Sequence, residues 1–246
     1  LSPALVLAQD KVEVPKGYED AVPVEEKRPA VRAVRDAKAR PRREKLNQSV
    51  LGILTDAVGK RAEPKARKLA PDLILMDVAA EYANYRSDLT RTFPVSGRFT
   101  ERQAAVYNAV LRVKNAATKM LVPGTLWAEY HREVGEIMTA ELLALGLLDP
   151  ADVKNQDPNK PAYKKYFMHG TSHHIGLDTH DYGALKTPMK AGMVFTVEPG
   201  IYIPEEGMGI RLEDNVVIQE LGEPLNLMAH IPITVAEIEA LMNGEI

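Results

Sequence analysis

Five residues in the C-terminal two-thirds of the chain are of the types that bind divalent metal: Asp77, Asp88, His173, Glu198 and Glu213. Four carboxylates and one imidazole form the donor set that two hard-to-borderline divalent ions need in order to share a site. Their negative charge also offsets that of the ions. Each residue sits in a segment with its own character: MDVAAEYANYRSD, HGTSHHIGLDTHD, TVEPGIY and GIRLEDN.

Asp77 ends the apolar run DLILM, which suits a buried strand. A carboxylate there is costly unless a cation meets it. Asp88 lies eleven residues on, and two adjacent antiparallel strands would bring the side chains together. Taken alone, Asp88 in YRSDLTR fits a turn former or an ion-pair partner of Arg86 or Arg91 just as well. HGTSHHIGLDTHD carries four of the six histidines. A lone histidine is more often a core residue than a ligand, but four within twelve residues point to chemistry. They exceed what a metal pair served by four carboxylates can use, so some should face substrate and stabilise negative charge. Glu198 ends an apolar strand before a Pro-Gly turn. Glu213 follows Arg211 by two residues on the same strand face, which fits an ion pair or a shared pocket.

These residues need elements to position them. DLILMDVA reads as one strand, and EYANYRSDLTRTFPV as a second, paired to it through a turn. Thr100 and Gln103 form a capping box for a helix. Its buried face is Val106, Val110, Val113, Ala117, Met120 and Leu121, and Pro123-Gly124 ends it. A second helix runs from about 126 to 145, with Trp127, Tyr130, Val134, Ile137 and Met138 on one side and Gly146 as its stop. DPADVKNQDPNKPAYKK is a polar loop. Short strands are expected near 166–169, 193–203 and 208–219, then a helix capped by Thr234 and Glu237. This order predicts an α+β fold, with helices covering one side of a curved, mainly antiparallel sheet.

Residues 1–70 have a different character and are set apart from a metal-binding domain at 71–246. Prolines at 3, 15, 23, 29, 41 and 64 interrupt periodic structure, leaving a short helix at about 44–58. Residues 11–70 hold 16 Lys and Arg against 9 Asp and Glu, whereas the rest holds 15 against 25. The basic stretch RPAVRAVRDAKARPRREK has no aromatic residue for base stacking, so it reads as a solvated face or arm rather than a nucleic-acid contact. There is no cysteine, which excludes disulfides and thiolate chemistry. No apolar run reaches the ~18 residues of a membrane span, and a cytoplasmic location is expected.

Together the motifs resemble one family. From Asp72 to Ile238 the chain is similar to the pita-bread metallopeptidases (family M24), in the branch of the Xaa-Pro aminopeptidases (aminopeptidase P) and prolidases. DVAAEYANYRSDLTRTFPVSGRFT, FMHGTSHHIGLDTHD, FTVEPGIYIP and GIRLEDNVVI stand in the family's order and spacing. The resemblance implies the pita-bread fold and an aminopeptidase that removes the N-terminal residue from peptides with proline in second position, by attack of metal-activated hydroxide. It implies that Asp77 chelates one metal, that Asp88 and Glu213 bridge both, and that His173 and Glu198 bind the second. The ions would be manganese, with cobalt or zinc accepted. By the same resemblance Glu198 carries the proton, His180 stabilises the tetrahedral intermediate and His169 lines the substrate pocket. Tyr202 and Arg211 would orient the ligands, and homo-oligomers are implied as well.

Three other readings compete. One is a prolidase, restricted to dipeptides. The second is a catalytically impaired binding protein on the same fold, and the third a creatinase-like hydrolase without metal. A complete ligand set argues against the last two. The chain departs from the family upstream of Asp77, where TDAVGKRAEPKARKLAP replaces the usual His-Tyr pair. The first histidine is His131. An incomplete first half with weakened substrate affinity is expected from this.

Overall fold

The computed structural model describes residues 73–245. The expected helix at 44–58, the basic stretch and the boundary at 70 lie outside the described residues.

Every described strand pair is antiparallel, as the sequence predicts. β1 (Leu73–Val78) runs into a small hairpin made of β2 (Glu81–Tyr82) and β3 (Tyr85–Arg86), and the chain then returns along β1 as β4 (Leu89–Pro94). Asp77 stands opposite Thr90 in this pair. The second strand is therefore shorter than EYANYRSDLTRTFPV suggests. Ala83 and Asn84 both have positive φ, 52° and 67°, and two such residues in succession make the tight hairpin turn that matches strand twist. That turn folds EYANYR onto itself and leaves only LTRTFP for the main ladder.

The helices form where capping and periodicity place them. α1 (Glu101–Met120) starts at a complete Thr100/Gln103 capping box. α2 (Trp127–Ala144) follows, and Gly146 ends it with φ 71°, the left-handed position that glycine occupies without strain. The segment expected to be one polar loop contains the short α3 (Pro150–Lys154), with Asp149 as cap and proline at its start. A 3-10 turn at Ala162–Lys165 follows. No strand forms at 166–169; Tyr166 and Phe167 instead close that turn back onto Tyr163.

The remaining strands are β5 (Val194–Val197), β6 (Gly200–Ile203), β7 (Met208–Arg211), β8 (Asp214–Val217) and β9 (Leu225–Asn226). β8 lies between β5 and β9, and β6 pairs with β7. The expected strand at 208–219 breaks at Leu212 and Glu213, because the chain leaves β6 there and joins β5. α4 (Val235–Asn243) closes the described chain behind its own Thr234/Glu237 box. One core joins the two layers: Val106, Val110 and Val113 of α1 and Tyr130, Val134 and Met138 of α2 bury against Phe93, Phe195, Val197 and Ile201.

A buried charge cluster crosses this core. Asp214 accepts from the Arg91 guanidinium at 2.7 Å, is bonded by the Lys114 ammonium of α1, and accepts from Asn226 Nδ2 at 2.7 Å. All three charged side chains are almost wholly buried. Burial pushes the Asp214 carboxyl up, but Arg91 and Lys114 outweigh it and hold the group below its usual range. A depressed folded-state pKa contributes stability above the unfolded value near 3.8, lost as pH falls through the folded one. Asp214→Asn strands two buried cations and should cost about 3–5 kcal/mol in denaturant unfolding. The difference from wild type should shrink below about pH 4.

Candidate metal centre

Four separate segments bring the expected ligands to one place. β4 starts just after Asp88, whose backbone N–H donates to Asn215 Oδ1 at 2.9 Å. Residues 171–173 run beside β5: His173 N–H donates to Thr196 Oγ1 at 3.1 Å, and Glu198 N–H to the Thr171 carbonyl at 2.8 Å. Glu213 N–H donates to the Thr90 carbonyl at 3.0 Å, so the break between β7 and β8 is held against β4.

The side chains then converge. Ligand atoms of Asp88, His173 and Glu213 lie within 4.8 Å of one another. His173 Nε2 stands 3.4 Å from Glu198 Oε1 and 3.7 Å from Asp88 Oδ2. His173 Nδ1 is 2.9 Å from the His174 carbonyl. A carbonyl only accepts, so Nδ1 carries a hydrogen, and Nε2, directed at the carboxylates, is the nitrogen that a metal would take in place of a proton. Burial pulls the His173 ring down, but Asp88 and the neighbouring acceptors more than offset this and hold it above its ordinary pKa.

Asp77 departs from expectation. Its side chain is 51% exposed rather than buried, and its Oδ2 accepts from Arg211 Nη2 at 2.5 Å. It still adjoins the cluster, next to Asp88. Partial burial first, and the adjoining Asp88 carboxyl next, raise its pKa against the pull of Arg211. Arg211 extends the network. Its Nη1 donates to Tyr202 OH at 3.2 Å and its Nε to Thr90 Oγ1 at 3.1 Å. Tyr202 OH lies 2.8 Å from His169 Nε2, and His169 Nδ1 lies 2.8 Å from the Gly170 carbonyl. The carbonyl again fixes the hydrogen on Nδ1, so Tyr202 donates to His169. Burial holds the His169 ring below its usual pKa. His180 is exposed at the rim, its ring edge-on to His173 at 4.3 Å between centroids.

The donors fit divalent metal. Glu213 is only 2% exposed, and Thr90 Oγ1 donates to its Oε2 at 2.7 Å. Its Oε1 is buried with no hydrogen-bond partner. Burial first, then Asp88 and Glu198, push the Glu213 carboxyl up to about 8. Burial likewise raises Glu198. A buried carboxyl oxygen without a hydrogen-bond partner, set among further carboxyls and an imidazole, is a donor set that a multivalent ion would satisfy.

Sequence reasoning passed over Thr90, Thr196 and Asn215, the side chains that hold the ligands in place. The available signal was alternation: Asp88, Thr90 and Thr92 share one face of a strand.

Comparison with known proteins agrees with this chemistry. The model for Metallopeptidase family M24 matches residues 48–220. The chain is 41% identical over 184 residues to an Xaa-Pro aminopeptidase of Haemophilus influenzae, and 43% identical over 185 residues to one of Escherichia coli. Each match takes in 70% of this chain, but only 42% and 41% of the relatives, so the chain spans about two-fifths of their length. The structure of Pseudomonas aeruginosa aminopeptidase PepP superposes with a TM-score of 0.64 at 40% identity, over 71% of this chain and 42% of that one. A zinc-substituted Escherichia coli aminopeptidase P in complex with product gives 0.64 at 42% identity, over 70% and 41%.

Glu213→Gln separates the metal reading from a purely structural one. The metal-stripped variant should melt no lower than wild type, because a repelled, half-satisfied carboxylate is removed. Wild type should gain about 2.7 kcal/mol at manganese one hundred times its Kd, and the variant should lose most of that gain in a thermal melt.

Proposed function

The chain belongs to metallopeptidase family M24, and from that membership we propose that it is the catalytic part of an Xaa-Pro aminopeptidase. Its described residues have the pita-bread fold of that family. The proposed reaction removes the N-terminal residue from peptides with proline in second position. The observation that carries this reading is the bare Glu213 Oε1 inside a ligand cluster shared with Asp88 and His173.

In this reading Asp77, Asp88, His173, Glu198 and Glu213 hold two divalent ions, manganese before cobalt or zinc. When bound, such a pair acidifies a water molecule and polarises the scissile carbonyl. The protein's own groups do the rest. Glu198 is half-buried, with one oxygen near Thr196 Oγ1 at 3.4 Å. It takes a proton from the attacking water and passes it to the proline nitrogen as the C–N bond breaks, a role suited to a carboxyl whose pKa burial has raised. His180, at the rim beside His173, donates to the oxyanion that develops on the carbonyl. His169, fixed by Gly170 and Tyr202, lines the pocket for the substrate's second residue. Arg211 orients Asp77 and Tyr202 together.

Proline explains the selectivity. An Xaa-Pro bond has no amide hydrogen and a ring-fixed geometry, so enzymes that grip an extended backbone by hydrogen bonds lose a donor. The groups assembled here ask for no hydrogen from that nitrogen. A cytoplasmic location, expected from the sequence, and assembly into homo-oligomers, implied by the family resemblance, complete the reading. Among the described residues no helix is long and apolar enough to cross a membrane.

The test is hydrolysis of Ala-Pro-Ala and Ala-Pro by metal-stripped protein, with and without manganese. Manganese-dependent release of alanine from the tripeptide supports the proposal, and cleavage of the dipeptide alone makes the protein a prolidase. No turnover by folded, metal-loaded protein means that the altered N-terminal region disables the site or that the chain is a binding protein. Glu198→Gln should lower kcat by about 10²–10⁴; turnover within a fewfold of wild type would remove Glu198 from proton transfer.

A further inference from the structure

The geometry points to Arg91 as a positioning residue for the metal ligands, acting from the opposite face of the sheet. This rests on the metal reading above and extends it to a residue outside the ligand set. Side chains alternate along a strand, so Thr90 and Glu213 face the cluster while Arg91 and Asp214 face the core. Arg91 Nη1 donates to two carbonyls, that of Glu213 at 2.7 Å and that of Thr90 at 3.0 Å. These belong to the two residues whose side chains are bonded on the other face, Thr90 Oγ1 to Glu213 Oε2 at 2.7 Å. The guanidinium therefore clips together the two backbone segments that set where the Glu213 carboxylate sits.

The clip is itself fixed. Arg91 Nε donates to the Pro232 carbonyl at 2.8 Å and Nη2 to Asp214 Oδ1 at 2.7 Å. Its planar fork makes four bonds from three separate nitrogens, whereas an ammonium has three donors on a single nitrogen. Glu213 lies in the break between β7 and β8, tied to β4 by its own N–H to the Thr90 carbonyl at 3.0 Å rather than by a regular ladder, so a second holder matters there more than within a strand. Asn215 plays the matching part for Asp88. It is buried, and its Oδ1 accepts the Asp88 backbone N–H. Lys114 differs from both, because its charge meets Asp214 Oδ2 and no ligand backbone.

That difference supplies the test. Manganese Kd would be measured by isothermal titration calorimetry on folded wild type, Arg91→Lys, Asn215→Ala and Lys114→Met, each well below its melting temperature. Arg91→Lys keeps the charge and loses the fork, and should weaken manganese binding by about 10–100-fold, the usual effect of removing a group that orients ligands. Asn215→Ala should do the same without touching the ion cluster, and reports on the holding principle even if the Arg91 variant fails to fold. Lys114→Met should lower the melting temperature and leave Kd within twofold of wild type. Equal Kd values across folded variants, with only melting temperatures changed, would overturn the inference and leave the metal reading standing. Wild-type protein that takes up no manganese would overturn both.

Discussion

Two adjacent carboxylates, Glu213 and Asp214, are buried back to back, and the rest of the molecule answers to them. An ionised carboxylate out of water requires compensation. Asp214 receives it in full from Arg91, Lys114 and Asn226. Glu213 receives one hydroxyl and keeps a bare oxygen. The two environments differ in kind: buried cations hold the Asp214 carboxyl below its usual range, whereas burial and neighbouring carboxyls push Glu213 up to about 8. Backbone alternation makes this possible, since Glu213, just before β8, and Asp214, its first residue, address opposite faces.

The remaining groups follow from where those carboxylates sit. β4 supplies Thr90 to one and Arg91 to the other, so a single strand serves both faces. The break at Leu212 and Glu213 lets the chain pass from the β6–β7 pair to the β5–β8 pair, and it places Glu213 where Asp88, His173 and Glu198 can reach it. Histidine tautomers are set by backbone carbonyls in both His169 and His173. The rings are thus oriented before any substrate arrives, which is the form of preorganisation that electrostatic catalysis depends on.

Much of this was legible in the sequence, for identifiable reasons. Thr100 with Gln103 and Thr234 with Glu237 announce their helices because capping is local chemistry. The five candidate ligands stood out because carboxylates and histidines clustered in four short segments, and the structure groups three of them, Asp88, His173 and Glu213. What stayed hidden depended on non-local partners. Asp77 looks buried from its apolar neighbours, but it is half-exposed and its partner, Arg211, lies more than a hundred residues away. The hairpin in EYANYR turns on two residues with positive φ, neither of them glycine. Lys114 falls on the buried side of an amphipathic helix, where its charge makes it read as solvated until Asp214 is placed opposite it. Asn215 and Thr90 carry no signal of their own, since hydroxyls and amides are common everywhere.

The bond between Arg211 and Asp77 joins residues 134 positions apart, and the cluster around it draws on Asp88, His173 and Glu198 from well-separated stretches of the chain. Local contacts cannot build such a place in advance. Loop closure over that distance comes late, after helices and hairpins have already formed. An unfinished chain, or one folded only in part, therefore offers scattered carboxylates and histidines but no chelate. Any ion that prefers the assembled site selects completed molecules from incomplete ones, and by mass action pulls the folding equilibrium toward them. Metal uptake here would register maturation of the whole described domain.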